Sequence, residues 1–185
     1  MGEQHKKHSR REHLNDFHLN VAGEYVYDGA LYACQNDDAK QRRSKRAVWG
    51  MAAILTVAVI AGGCIPAPGM QNCFYVLLPY LGEFLGAGSV IWALAKLGMD
   101  WGTVREYNYK KSVAVLPVRT AVTAVFSLLG IVCELIFFFV NDHAGQTFFA
   151  LLYVLLKLTA LLSVLVLRAE IMQAEWDKLP KKDNF

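Results

Sequence analysis

Residues 47–65 read AVWGMAAILTVAVIAGGCI, nineteen positions without one charge. Crossing the hydrocarbon core of a bilayer takes roughly 20 mostly apolar residues, so this stretch is predicted to be a membrane span. Three more windows of the same kind follow, at 73–97, 120–140 and 147–167. The fold class expected is therefore an all-α integral membrane protein, a bundle of four transmembrane helices. Composition agrees: of 185 residues, 55% are hydrophobic and 19% charged, against about 25% charged in an ordinary soluble domain. The mean hydropathy is +0.27. The chain divides into an N-terminal region 1–46, the transmembrane domain 47–168 with a middle loop 98–119, and a C-terminal tail 169–185.

The weakest window is the fourth, because it holds Lys157. A central lysine costs about 2.5 to 3.5 kcal/mol on an insertion scale, whereas the fourteen Leu, Val and Phe residues around it return about 6 kcal/mol together. The window should still insert. The first window starts after 46 mostly polar residues, too late for the apolar core of a removable signal peptide. Its end, Ala61-Gly62-Gly63-Cys64, resembles a lipoprotein processing box, but the late position and Ala61 in place of the usual Leu argue against cleavage at Cys64.

Lys and Arg placement orients the spans. Nine precede the first span, five lie between 96 and 119, four follow the fourth span, and the short loops 66–72 and 141–146 hold none. Positive residues collect on the cytoplasmic side. Both termini and the middle loop are thus expected inside, with the lipid bilayer as the main partner and the plasma membrane as the location. The net charge of +3 arises from these flanks and gives no nucleic-acid signal.

Within the N-terminal region, residues 1–12 carry no apolar face and are expected to be disordered. Residues 24–34 read EYVYDGALYAC. An Asp-Gly pair between β-favouring runs signals a hairpin, which would set Tyr25, Tyr27 and Tyr32 on one face, available to a partner surface. His5, His8, His13 and His18 match no zinc spacing, so no metal site is expected. In the middle loop, Thr103-Val104-Arg105-Glu106 has the form of a capping box and predicts a helix over 104–115 ended by Pro117. Nothing interrupts the fourth helix before Pro180, so it is expected to run on to about Leu179.

Three ionisable residues lie inside the spans, and an intramembrane charge is a functional hypothesis by default. Glu83, Glu134 and Lys157 are expected to meet in the outer half of the bundle as a binding cluster. Lys157 with Glu134 is the first pairing expected, because the third and fourth spans are joined by a short loop. Two carboxylates against one ammonium leave a surplus negative charge, to be removed by protonation, a bound cation or a partner's basic residue. In the second span Gly82 and Gly86 form GxxxG beside Glu83, and in the third Thr123, Ser127, Gly130 and Glu134 make a single helical stripe of small or polar residues that ends in the acid. Small faces allow close helix approach in lipid, within the chain, with a second copy or with another membrane subunit. Cys64 and Cys73 flank the first outward loop as a disulfide or as two free thiols. Quinone-linked disulfide oxidoreductases also have four spans, but their Cys-x-x-Cys pair is absent here.

No phosphate-binding loop, dinucleotide fingerprint, metalloprotease helix or nucleophile elbow occurs, so neither a catalytic residue nor a cofactor is expected. Two functions remain. The first is a non-enzymatic accessory or assembly subunit that presents packed helix faces and cytoplasmic tails. The second is a small homo-oligomeric transporter or channel that holds a cation, proton or charged solute at Glu83, Glu134 and Lys157.

Overall fold

The computed structural model describes residues 17–19, 23, 25–27, 29–98, 101–141 and 147–179. Residues 1–12, His13, Asp28 and loop residues 142–146 lie outside the described residues. The elements in chain order are β1 (Phe17–Leu19), β2 (Tyr25–Tyr27), β3 (Leu31–Cys34), α1 (Asp38–Cys64), α2 (Pro68–Asn72) and α3 (Phe74–Leu97). These are followed by β4 (Thr103–Arg105), α4 (Glu106–Lys111), α5 (Leu116–Val140), α6 (Thr147–Met172) and β5 (Trp176–Lys178).

Four helices, α1, α3, α5 and α6, are long and apolar enough to cross a membrane. At 1.5 Å per residue, the 27 residues of α1 extend about 40 Å. That exceeds the roughly 30 Å of hydrocarbon, so the basic first turns of α1 reach beyond the apolar window. Its buried stripe, Ser44, Val48, Ala52, Leu55, Val59 and Gly62, advances by three or four residues, as one helix face must. Gly98 ends α3 at φ 74°, ψ −170°, with its N–H on the Leu94 carbonyl, a positive-φ conformation that is essentially glycine's alone. Pro117 sits in the first turn of α5, where its missing N–H leaves no helical bond unmade.

Around the bundle the helices follow the order α1, α6, α5, α3, with α3 returning loosely to α1. Neighbours in this ring bury their small and polar stripes toward the axis. Thr120, Thr123, Ser127 and Glu134 are fully buried, while Leu85 is 71% and Phe139 80% exposed. Polar inside and oily outside reverses the pattern of a water-soluble bundle and suits a lipid surround. The close approach is visible at the GxxxG pair: a Cβ on Gly82 would overlap the Phe126 ring, and one on Gly86 would meet Thr123. Both glycines therefore serve the α3–α5 contact of this chain.

One end of the bundle carries a three-stranded antiparallel sheet in the order β4-β3-β5. Tyr32 in the central strand faces Val104 on one side and Lys178 on the other. Bonds from Glu106 N–H to Ala30 O and from Leu179 N–H to Leu31 O extend the seam. The N-terminal segment, the middle loop and the C-terminal segment are thus tied together at one end, hereafter the sheet end. Beneath them Val48, Leu94, Trp101, Val104, Leu116 and Leu167 form the core.

Three expectations are corrected here. The hairpin over 24–34 does not form: β2 pairs with β1, Tyr27 opposite Phe17, and β3 pairs elsewhere. β3 instead gains hydrogen-bonded partners on both edges, β4 and β5, where a hairpin with β2 would give it one. The tyrosines consequently separate. Tyr32 stacks on Tyr109 at 4.1 Å between ring centroids, Tyr27 folds over Gly29 and donates to Ala30 O at 3.3 Å, and Tyr25 is exposed. The helix over 104–115 shortens to 106–111, because Thr103–Arg105 is taken as a strand and no side chain caps α4. Finally, α6 stops at Met172 instead of reaching Leu179. Trp176 pairs as a strand opposite Cys34 and lies 6.3 Å from Trp101 and 6.1 Å from Tyr109, burial that a straight helix would forgo.

Candidate functional site

The site lies toward the far end of the bundle, opposite the sheet. Glu83 is nine residues into α3 and Lys157 ten into α6, so both lie about 14 to 15 Å from the far ends of their helices. Glu134, six residues from the end of α5, lies about 9 Å from it. All three are within the bundle interior: Glu83 and Glu134 are 0% exposed and Lys157 2%.

Lys157 pairs with Glu83 through Nζ and Oε2, correcting the expected Lys157–Glu134 pair. Ring order explains the outcome. α6 and α3 stand diagonally across the bundle, so side chains that both face the axis at one depth meet there, although their helices are not neighbours. The lysine stem passes α5 at Gly130, where an added Cβ would lie 3.7 Å from Lys157 Cε. Ser127, one turn deeper, donates to the Lys157 carbonyl at 3.2 Å.

Two aromatic faces complete the surroundings of the ammonium. Its Nζ lies 4.5 Å from the Tyr80 ring centroid and 5.1 Å from that of Tyr153, within the range of cation–π attraction. Tyr80 is anchored by a hydroxyl bond to Val59 O at 3.4 Å. Tyr80, three residues before Glu83, was not singled out from the sequence; the i, i+3 spacing that puts it on the carboxylate's face is the signal that could have found it.

Glu134 has a different surrounding. Its Oε1 accepts the backbone N–H of Gly69 at 3.4 Å, and Gly69 belongs to α2, the short helix between α1 and α3. Ala67, Pro68 and Gly69 are buried, and α2 packs on α3, α5 and α6. The first short loop therefore turns into the bundle and covers the site. The sequence predicts the loop 66–72 only as a short outward connection, so sequence reasoning missed this contact.

Glu83 Oε1, Glu134 Oε2 and the Tyr153 hydroxyl are buried with no hydrogen-bond partner among the described residues. Such groups are rare in folded proteins and each asks for an explanation. Toward the sheet, the site is closed by Leu55, Ala58, Val59, Ala87, Ala160 and Val164. Cys64, Cys73, Cys34 and Cys133 are all free thiols. Of the two alternatives for Cys64 and Cys73, the structure shows two free thiols, with α2 between them in the chain. No group of three His, Cys, Asp or Glu side chains that could hold a metal occurs among the described residues.

Comparison of the chain with protein-family models, curated proteins and solved structures finds no match.

Proposed function

We propose that this protein is a non-enzymatic multi-pass protein of the plasma membrane that takes up and releases a proton at Glu83, Glu134 and Lys157. The N-terminal segment, middle loop and C-terminal segment face the cytoplasm, and the far end faces out. What supports the orientation is the basic residues of these three segments together with the sheet that joins them on one side. The observation that carries the function is the second acid. A packing device needs one carboxylate for one ammonium, and Glu83 with Lys157 supplies it. Glu134 adds a buried carboxyl with an unpartnered oxygen and a net negative charge in low dielectric.

A proton suits the donor set better than a metal cation. Three unpartnered oxygens face the interior, fewer than the six to eight a calcium ion takes, and the ammonium already occupies the cation's place at Glu83. The test is proton flux into liposomes loaded with a pH-sensitive dye under an imposed membrane potential. The wild type should acidify the lumen faster than empty liposomes, and Glu83→Gln with Glu134→Gln should remove that difference. Wild-type flux equal to that of empty liposomes ends the proposal.

A second reading, an accessory or assembly subunit, draws on the separate β1–β2 sheet and the 75% exposed Tyr25. Purification in mild detergent with a stoichiometric partner, lost on deletion of residues 13–27, would favour it.

A further inference from the structure

We infer that α2 is an outer gate latched on Glu134, and that Gly69 is the residue that lets the latch close. The gate's role rests on the proton-site reading; its geometry does not.

Three observations converge. First, the segment is seated, with Ala67 0% exposed although it belongs to a seven-residue connection between two spans. Second, α2 holds itself together. Gln71 N–H bonds to Ala67 O at 3.3 Å, Cys73 N–H to Gly69 O at 2.9 Å, and Asn72 Nδ2 to Pro68 O at 2.9 Å. Extended residues stand on both sides, Ala67 at φ −68°, ψ 133° and Cys73 at φ −136°, ψ 125°, so the turn can move as a unit while its own bonds persist. Third, the hydrogen bond found between α2 and the buried acids is the Gly69 N–H to Glu134 Oε1 contact, long at 3.4 Å. Gly69 is required for it: a Cβ there would overlap the Glu134 carboxyl and lie 3.1 Å from Val76 Cγ2.

The latch reads the charge of Glu134. A carboxylate is a stronger acceptor for an amide N–H than a neutral acid. Ionised Glu134 therefore holds α2 down, and neutral Glu134 lets it lift. Proton arrival and opening toward the outside become one event.

The test uses the full chain in phosphatidylcholine nanodiscs, with the four native cysteines changed to Ser and Ala67→Cys as the reporter. The rate of reaction with a charged, membrane-impermeant maleimide reads the gate. The reporter should react slowly in the parent, and both Glu134→Gln and Gly69→Ala should speed it at least about tenfold by populating local opening. Gly69→Ala acts by overlap and keeps the test decisive where Glu134→Gln fails to fold. Glu106→Gln, at the sheet end, should leave the rate unchanged. Labelling of the parent as fast as that of a reference chain that keeps only the exposed Cys64, or an unchanged rate in a folded Glu134→Gln or Gly69→Ala variant, overturns the gate. Since labelling needs no flux, absence of proton flux in the wild type would end the proposed function alone, and unchanged labelling would end the gate alone.

Discussion

The two ends of the bundle solve opposite problems with the same helices. At the sheet end, three distant chain segments are knotted by backbone ladders and by the aromatic group Tyr32, Tyr109, Trp101 and Trp176. Side chains lock onto backbone or onto each other: Arg119 donates to Ser89 O at 2.6 Å, Arg168 to Pro117 O, and Ser44 to Glu170 at 2.8 Å. The Trp101 indole N–H is the one buried side-chain polar atom there without a partner among the described residues. At the far end, two acids and a lysine sit under a five-residue helix, and three of their buried polar atoms or those of Tyr153 lack partners. Satisfied groups resist rearrangement, whereas unsatisfied ones leave alternatives close in energy. With one unpartnered buried atom against three, the sheet end is the better satisfied, and under the proposed function it is the part that stays while the far end changes.

The largest expected effect breaks the far end. Glu83→Gln strands the Lys157 ammonium in the interior and should cost about 3 to 5 kcal/mol of stability, read as a fall in the thermal unfolding midpoint in detergent. Replacing both partners, Glu83→Gln with Lys157→Met, should recover most of it, because an uncompensated charge costs more than the pair is worth. If the double variant is as unstable as the single, the pair is a larger net stabiliser than its burial implies. Next in size, Gly86→Ala forces a methyl to about 3.3 Å from the Thr123 Cα. Overpacking of this kind costs about 1 to 3 kcal/mol. The same change at Gly88, inside the same helix but with nothing within 4 Å, should not lower the midpoint, because alanine is the better helix former.

The same contrast marks what could be read from the chain before its fold. Helices of the bundle announce themselves locally: twenty apolar residues decide insertion, and the stripe Thr123, Ser127, Gly130, Glu134 carries its own face. The structure buries Thr123, Ser127, Gly130 and Glu134, and its helices overlap all four predicted windows. The identity of the polar residues at the site was legible too, since a charge in an apolar window cannot hide. Their partners were not, because pairing across the bundle depends on ring order and depth, which no neighbouring residue records. The strands were least legible. Val104 lies about seventy residues from both Tyr32 and Lys178, so the local capping signal at Thr103–Glu106 and the uninterrupted helix toward Leu179 pointed the wrong way. Tertiary pairing overruled both.

Smaller effects sharpen the sheet end. Tyr32 and Tyr109 stack with ring planes 4° apart, an arrangement worth about 0.5 to 1.5 kcal/mol beyond buried area. A double-mutant cycle on Tyr32→Leu and Tyr109→Leu should return a coupling in that range, with hydrogen exchange rising first in β3 and β5. Additive losses would mean that the backbone ladder alone holds the segments.

The smallest expected effect on folding belongs to Tyr25, and it separates the two functional readings. Its ring is 75% exposed, so Tyr25→Ala should shift stability by less than about 0.5 kcal/mol, as surface changes do. A large aromatic left outside a folded body either contributes nothing or meets something else. If Tyr25→Ala leaves the unfolding midpoint and proton flux unchanged while removing a co-purifying partner, the N-terminal strands are an attachment and the far-end site works independently of them. If it lowers the midpoint by several degrees, β1 and β2 are instead part of the clasp, and the boundary between the fixed and the changeable halves of the molecule must be redrawn to include them.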